Sequence, residues 1–124
     1  MTEDARAAGL PEEIGGIFGL EGQNAIVTGA ASGLGRAIAL GFAHFGAGVA
    51  CLDIDLEGAQ KTADDVSALG REGYAVRVDV RDWEDVRAAA EEVGSRSGAV
   101  DVAVNVPGIN RRKPVLELET EEFS

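Results

Sequence analysis

Between Thr28 and Gly35 the chain reads T-G-A-A-S-G-L-G, with glycines at 29, 33 and 35, an apolar run before it and a helical pattern after it. No other feature restricts the possible folds as much. A strand that turns through glycines into a helix leaves the first amide donors of that helix without partners, and the helix dipole adds to their pull on an anion. Gly29 permits the tight turn off the strand. Gly33 and Gly35 remove side chains, so that a pyrophosphate can approach and the helix can lie close to a sheet. The segment Gly29, Ser32, Gly33, Leu34 and Gly35 is therefore a candidate phosphate-binding turn. An ordinary glycine-rich turn is the alternative, and the surrounding pattern has to decide between them.

Before the turn, Ala25, Ile26 and Val27 run without polar alternation, as in a strand covered on both faces of a parallel sheet. After it, Leu34, Ile38, Phe42 and Phe45 recur at helical spacing up to Gly46 and Gly48, which predicts a helix over 33–45. Val49 to Leu52 form a second apolar strand that ends in Asp53, and Ala59, Ala63, Val66 and Leu69 mark a second helix closed by Gly70. Tyr74 to Val78 read as a third strand. Asp82 is a plausible cap for a third helix, with Trp83, Val86, Ala90 and Val93 on its inner face, and Val100 to Val104 read as a fourth strand. Strands and helices in this alternation predict an α/β fold, a Rossmann-type doubly wound parallel sheet of about four strands in the order 3-2-1-4 with flanking helices. Strand four would then lie at an edge, with its valines and unpaired backbone open to association. Residues 1–20 mix charges with Pro11, Gly15 and Gly16 and read as a loosely ordered lead-in, which leaves residues 21–124 as one nucleotide-binding domain. From Asn110 the chain reads as a loop that begins another helix near Thr120.

Asp53 stands 24 positions after Gly29 and 18 after Gly35, close to the interval at which a carboxylate accepts hydrogen bonds from the adenosine ribose hydroxyls of a dinucleotide. Its charge repels a 2′-phosphate. Ser32 and Ile54 are uncharged, so neither would pair with such a phosphate, and NAD is expected in preference to NADP. Strand, turn, helix and acidic residue together supply the context that a glycine pattern alone lacks.

Charge and composition exclude other classes of function. The net charge of −11 at pH 7 repels nucleic acids and anionic membrane surfaces at long range, so no nucleic-acid or membrane partner is expected. One cysteine, Cys51, and one histidine, His44, cannot make a disulfide or a thiolate–imidazole metal cluster, and a reducing, cytoplasmic setting fits. Cys51 lies inside an apolar strand and reads as a core residue, while His44 lies on the polar side of the first helix near its C-terminus. The first 20 residues contain Glu3, Asp4, Glu12 and Glu13 and no long apolar run, unlike a secretory signal or membrane anchor.

The spacing T-G-x-x-x-G-x-G resembles the short-chain dehydrogenase/reductase family, from about Phe18 to the last residue. In that family an Asp-Val pair after the third strand lies at the adenine ring, and Asp79 and Val80 match it here. An N-N-A-G segment follows the family's fourth strand. This chain reads N-V-P-G, Asn105 to Gly108, and keeps the first Asn and the Gly. Pro107 fixes its own φ, removes an amide donor and restricts Val106, so the local geometry departs from the family pattern. The resemblance implies cofactor contacts from Ile54, Asp79, Val80, Asn105 and Gly108, hydride transfer between NAD and an alcohol or carbonyl substrate, and a homodimer or homotetramer.

The family's proton-transferring Tyr and Lys, four residues apart, and its assisting Ser lie beyond the region matched here. No catalytic residue is identified. Tyr74 is the one tyrosine and has Val78, not a lysine, four positions on. By this reading the chain is a truncated N-terminal part of the family domain, incomplete in its sheet and inactive alone, with a non-catalytic dinucleotide-binding module or pseudoenzyme as the alternative. The basic run Arg111, Arg112 and Lys113 follows the fourth strand end and is a candidate for holding a substrate carboxylate or phosphate, a solvated loop being the alternative. Its surroundings, G-I-N-R-R-K-P-V-L-E-L, are similar to gluconate and related sugar-acid dehydrogenases of the family.

Overall fold

Val27 and Cys51 are fully buried on one face of a sheet, and Ala50 and Leu52 are buried on the other, as the unbroken apolar runs require. The computed structural model describes residues 19–106. Over that range the strands β1 (Asn24–Thr28), β2 (Gly48–Asp53), β3 (Gly73–Arg77) and β4 (Val102–Asn105) alternate with the helices α1 (Gly33–His44), α2 (Leu56–Ala68) and α3 (Trp83–Ser97). All pairings are parallel and the order is β3-β2-β1-β4, as expected from the sequence. The register sets Ile26 beside Ala50 and Ala103, and Val27 beside Cys51 and Val104.

One face carries α1 and α2, with Val27, Val49 and Cys51 against Ala39, Ala43, Ala59, Ala63 and Val66. The other carries α3, whose Ala89 and Val93 pack with Ala50, Leu52, Tyr74, Val76 and Val78. Each helix starts on a side-chain cap. Ser32, Asp55 and Asp82 accept amide hydrogen bonds from Gly35, from Gly58, and from Glu84 and Asp85, respectively.

Three expectations are corrected. The inner stripe of α3 is Val86, Ala89 and Val93. Trp83 is 73% exposed and Ala90 is also exposed, because the helical turn sets both to one side of the line of Val86, Ala89 and Val93 that packs on the sheet. On α1 the deepest line is Gly35, Ala39 and Ala43, flanked by half-buried Ile38 and Phe42, while Leu34 is 65% exposed at the mouth of the turn. The fourth strand starts at Val102, not Val100. Asn24 and Asp101 hold its entry, the Asn24 amide donating to Asp101 Oδ2 (2.8 Å) and the Asp101 amide to the Asn24 carbonyl (2.9 Å), which leaves Val100 outside the ladder and exposed.

Candidate functional site

Because every strand is parallel, all four carboxyl ends lie along one edge of the sheet. The glycine turn follows β1, Asp53 closes β2 and precedes Ile54, Asp79 and Val80 follow β3, and Asn105 closes β4. The topology thus brings the described members of the expected site to one edge. Gly108, Arg111, Arg112 and Lys113, along with Pro107, lie outside the described residues.

The turn is built by competition for its own amides. Ala30 donates to the Leu52 carbonyl (3.1 Å), Ser32 to the Gly29 carbonyl (3.1 Å), and Gly35 to Ser32 Oγ (3.0 Å). Ala31 donates to Asp53 Oδ2 (2.9 Å). The amides of Gly33 and Leu34 have no acceptor among the described residues. They open the first turn of α1, where the helix dipole is positive. A Cβ at Gly33 would meet no heavy atom of the described residues within 4 Å, so no described side chain or backbone crowds that side of the turn. An anion fits this place, and a pyrophosphate is the dinucleotide group that would use it.

The other two glycines serve the packing. Gly29 has φ +74°, which L side chains rarely adopt, and a Cβ there would run into the Val106 carbonyl oxygen. A Cβ at Gly35 would run into the Gly29 carbonyl oxygen, so the helix approaches its own turn too closely for a methyl group. Val106 in turn donates its amide to the Thr28 carbonyl (3.0 Å), which ties the end of β4 to the start of the turn. Thr28 Oγ1 also donates to Asn105 Oδ1, so the Asn105 carbonyl oxygen is held by the neighbouring strand.

Asp53 uses both carboxylate oxygens locally. Oδ2 accepts from Ala31 and Oδ1 from the Asp55 amide (3.0 Å), which fixes the carboxylate between the turn and the start of α2. Ile54 beside it is 49% exposed, and Val80 after β3 is 56% exposed. Leu34, Ile54 and Val80 are thus exposed apolar residues that follow the carboxyl ends of β1, β2 and β3. Asp79 meets the Arg81 guanidinium at 3.0 and 3.1 Å and accepts the Arg81 amide at 3.0 Å. The Arg81 side-chain hydrogen bond, with the amide behind it, holds the Asp79 carboxyl below the usual carboxylate range. Its own amide donates to Asp85 Oδ2 (2.6 Å), which fixes the segment carrying Val80.

Tyr74 lies at the other end of the sheet. Its hydroxyl bonds Ser97 Oγ (2.6 Å) and Arg96 stacks over its ring at 4.0 Å, so it fastens the end of α3 to β3. Cys51 is buried, and burial pushes its thiol up to about 12. Among the described residues no group of three or more His, Cys, Asp or Glu is arranged to hold a metal ion, and no helix is long and apolar enough to cross a membrane.

Two contributors to the turn escaped the sequence reading. Val106 caps Gly29, and Thr62 of α2, 1% exposed, donates its hydroxyl to the Ala30 carbonyl (2.8 Å). A signal for Thr62 existed, since it completes the stripe Ala59, Thr62, Ala63 and Val66 as its one polar member.

Residues 23–124 match the family model for short chain dehydrogenases. D-threitol dehydrogenase of Mycolicibacterium smegmatis is 41% identical over 109 residues, 86% of this chain and 41% of that protein. The 7alpha-hydroxysteroid dehydrogenase of Escherichia coli is 38% identical over 95 residues, 77% of this chain and 37% of that protein. A crystal structure of a dehydrogenase/reductase from Sinorhizobium meliloti superposes with a TM-score of 0.80 at 32% identity, covering 91% of this chain and 45% of that one. The chain thus spans about two-fifths of the length of the curated relatives it matches. With the turn, the strand order and these relatives in agreement, the chain belongs to the short-chain dehydrogenase family.

Proposed function

We propose that this chain carries the cofactor site of an NAD-dependent oxidoreductase that moves a hydride between the nicotinamide and an alcohol or carbonyl substrate. The observation that carries the reading is the joint placement of Asp53 and the turn. A fixed carboxylate at the end of β2 adjoins a turn whose Gly33 and Leu34 amides are free among the described residues. Those amides would hold the pyrophosphate, and the remaining lone pairs of Asp53 would accept from the adenosine ribose hydroxyls. Ile54 and Val80 would flank the adenine, and Asn105 would line the site beyond it. The bound nicotinamide supplies the hydride chemistry. This chain's own residues bind and orient the dinucleotide.

The preference for NAD over NADP rests on charge. A 2′-phosphate would approach the Asp53 carboxylate, and Ser32 and Ile54 offer it no cation. Arg36, the next residue after the turn, is already paired with Asp65 of α2, and Arg81 is paired with Asp79. The names of two relatives specify D-threitol and a 7alpha-hydroxysteroid, both alcohols, in line with the proposed substrate class. Arg111, Arg112 and Lys113 are proposed to meet the substrate, and a homodimer or homotetramer in the cytoplasm is proposed for the whole protein.

Calorimetric titration with NAD and NADP tests the assignment. The unaltered chain is expected to bind NAD more tightly, and Asp53→Asn to lose roughly tenfold in NAD affinity while narrowing its preference over NADP, the loss expected for charge-assisted hydrogen bonds. Binding of neither ligand at millimolar concentration would overturn the reading.

A further inference from the structure

Thr62 is the one buried polar or charged side chain among the described residues, and it lies on a helix that the dinucleotide-binding motif does not include. Burying a hydroxyl costs free energy unless it finds a partner. Thr62 Oγ1 finds the Ala30 carbonyl at 2.8 Å, in the middle of the glycine turn, and keeps only a long contact of 3.4 Å with the Gly58 carbonyl of its own helix. A threonine in a helix commonly bonds the carbonyl one turn back. Here the shorter bond leaves the helix for the turn.

The same corner of the turn is held at three further points. The Ala30 amide donates to Leu52 (3.1 Å), the Ala31 amide to Asp53 (2.9 Å), and Gly58 abuts Ala31 so closely that a Cβ would stand 2.7 Å from the Ala31 methyl. Ala30 is thereby held through both its N–H and its C=O, and Ala31 through its N–H. The free donors Gly33 and Leu34 follow two and three residues after Ala31, so their aim depends on where that corner is fixed. Anion binding by a pair of amides falls off steeply with misdirection.

We propose that Thr62 is a positioning residue for the dinucleotide pyrophosphate. Acting through the Ala30 carbonyl, it sets the Gly33 and Leu34 amides from the neighbouring helix. The proposal rests on the dinucleotide reading above and assigns the aim of the turn to a residue outside its motif.

Thr62→Val keeps the shape and removes the hydroxyl, Thr62→Ser restores it, and Thr62→Cys replaces it with a weak donor. Dissociation constants for ADP-ribose, which carries the pyrophosphate, and for adenosine, which does not, are measured with the full chain. Thr62→Val is expected to weaken ADP-ribose roughly three- to tenfold, the worth of one hydrogen bond. Adenosine affinity is expected to stay unchanged, and Thr62→Ser to bind like the unaltered chain. If the valine variant does not fold, Thr62→Cys carries the same comparison and is expected to shift the ratio of the two affinities in the same direction. Equal weakening of both ligands, or unchanged ADP-ribose affinity in the valine and cysteine variants, overturns the proposal and leaves the dinucleotide reading standing. Failure of the unaltered chain to bind ADP-ribose overturns both.

Discussion

Gly33 and Gly35 stand two positions apart in one turn and meet opposite surroundings. A methyl at 35 would strike the Gly29 carbonyl oxygen, a backbone atom that cannot swing aside, whereas a methyl at 33 would enter open space. Gly35→Ala is therefore expected to cost about 1–3 kcal/mol of stability, the usual range for overpacking, as read by urea denaturation. Gly33→Ala is expected to stay within about 0.5 kcal/mol of the unaltered chain and to bind NAD at least several-fold more weakly. Equal stability losses in the two variants would contradict this division of labour. Cys51 gives a second test at this scale. An ordinary thiol ionises near 9.0, and burial pushes this one up to about 12. The folded state thus holds the proton more tightly than the unfolded state, so the Cys51 contribution is fully present below about pH 9 and is lost as pH rises toward 12. Denaturation midpoints measured from neutral pH into that window should fall more steeply for the unaltered chain than for Cys51→Ala, and parallel profiles would refute the burial argument.

At the scale of elements, α1 owes its position to small residues. Gly35, Ala39 and Ala43 bring its axis close to β1 and β2, while the larger Ile38 and Phe42 fill the flanks. Ala39→Leu, fully buried, is expected to cost about 1–3 kcal/mol and to weaken NAD binding as well, since displacing α1 moves the turn it begins. Trp83→Ala is expected to change stability by less than about 0.5 kcal/mol in thermal melts, because the indole is 73% exposed. The helical periodicity was legible in the sequence, yet Trp83 was read as inward and Ala89 was overlooked. Size misled that reading. An aromatic residue at helical spacing signals burial on average, but only the rotation of α3 on the sheet decides which line packs, and it is Val86, Ala89 and Val93 that face inward.

For the whole molecule, the open side of β4 matters most. Among the described residues β4 pairs only with β1, and Ala103 and Asn105, on the face that α3 covers over β2 and β3, are exposed. A parallel strand with one open edge beside an uncovered sheet face is a template for association. Sedimentation of the purified chain is expected to show concentration-dependent self-association, and its melting temperature is expected to depend on protein concentration. A single monomeric species with a concentration-independent melt would count against this.

The order of the strands, their parallel sense, the glycine turn and the acidic residue that faces it were all determined by local sequence. Apolar runs, helical spacing and glycine placement act over a few residues, and the handedness of the βαβ connection leaves little choice among topologies. Tertiary structure alone decided which amides of the turn stay free. The Ser32 hydroxyl removes the Gly35 donor locally, but the Ala30 and Ala31 donors are taken by acceptors far away in the chain, the Leu52 carbonyl and the Asp53 carboxylate. It also decided that Thr62 belongs to the turn. A hydroxyl in an apolar stripe announces that it needs a partner, but only the packing of α2 against β2, β3 and α1 brings the Ala30 carbonyl within 2.8 Å of it.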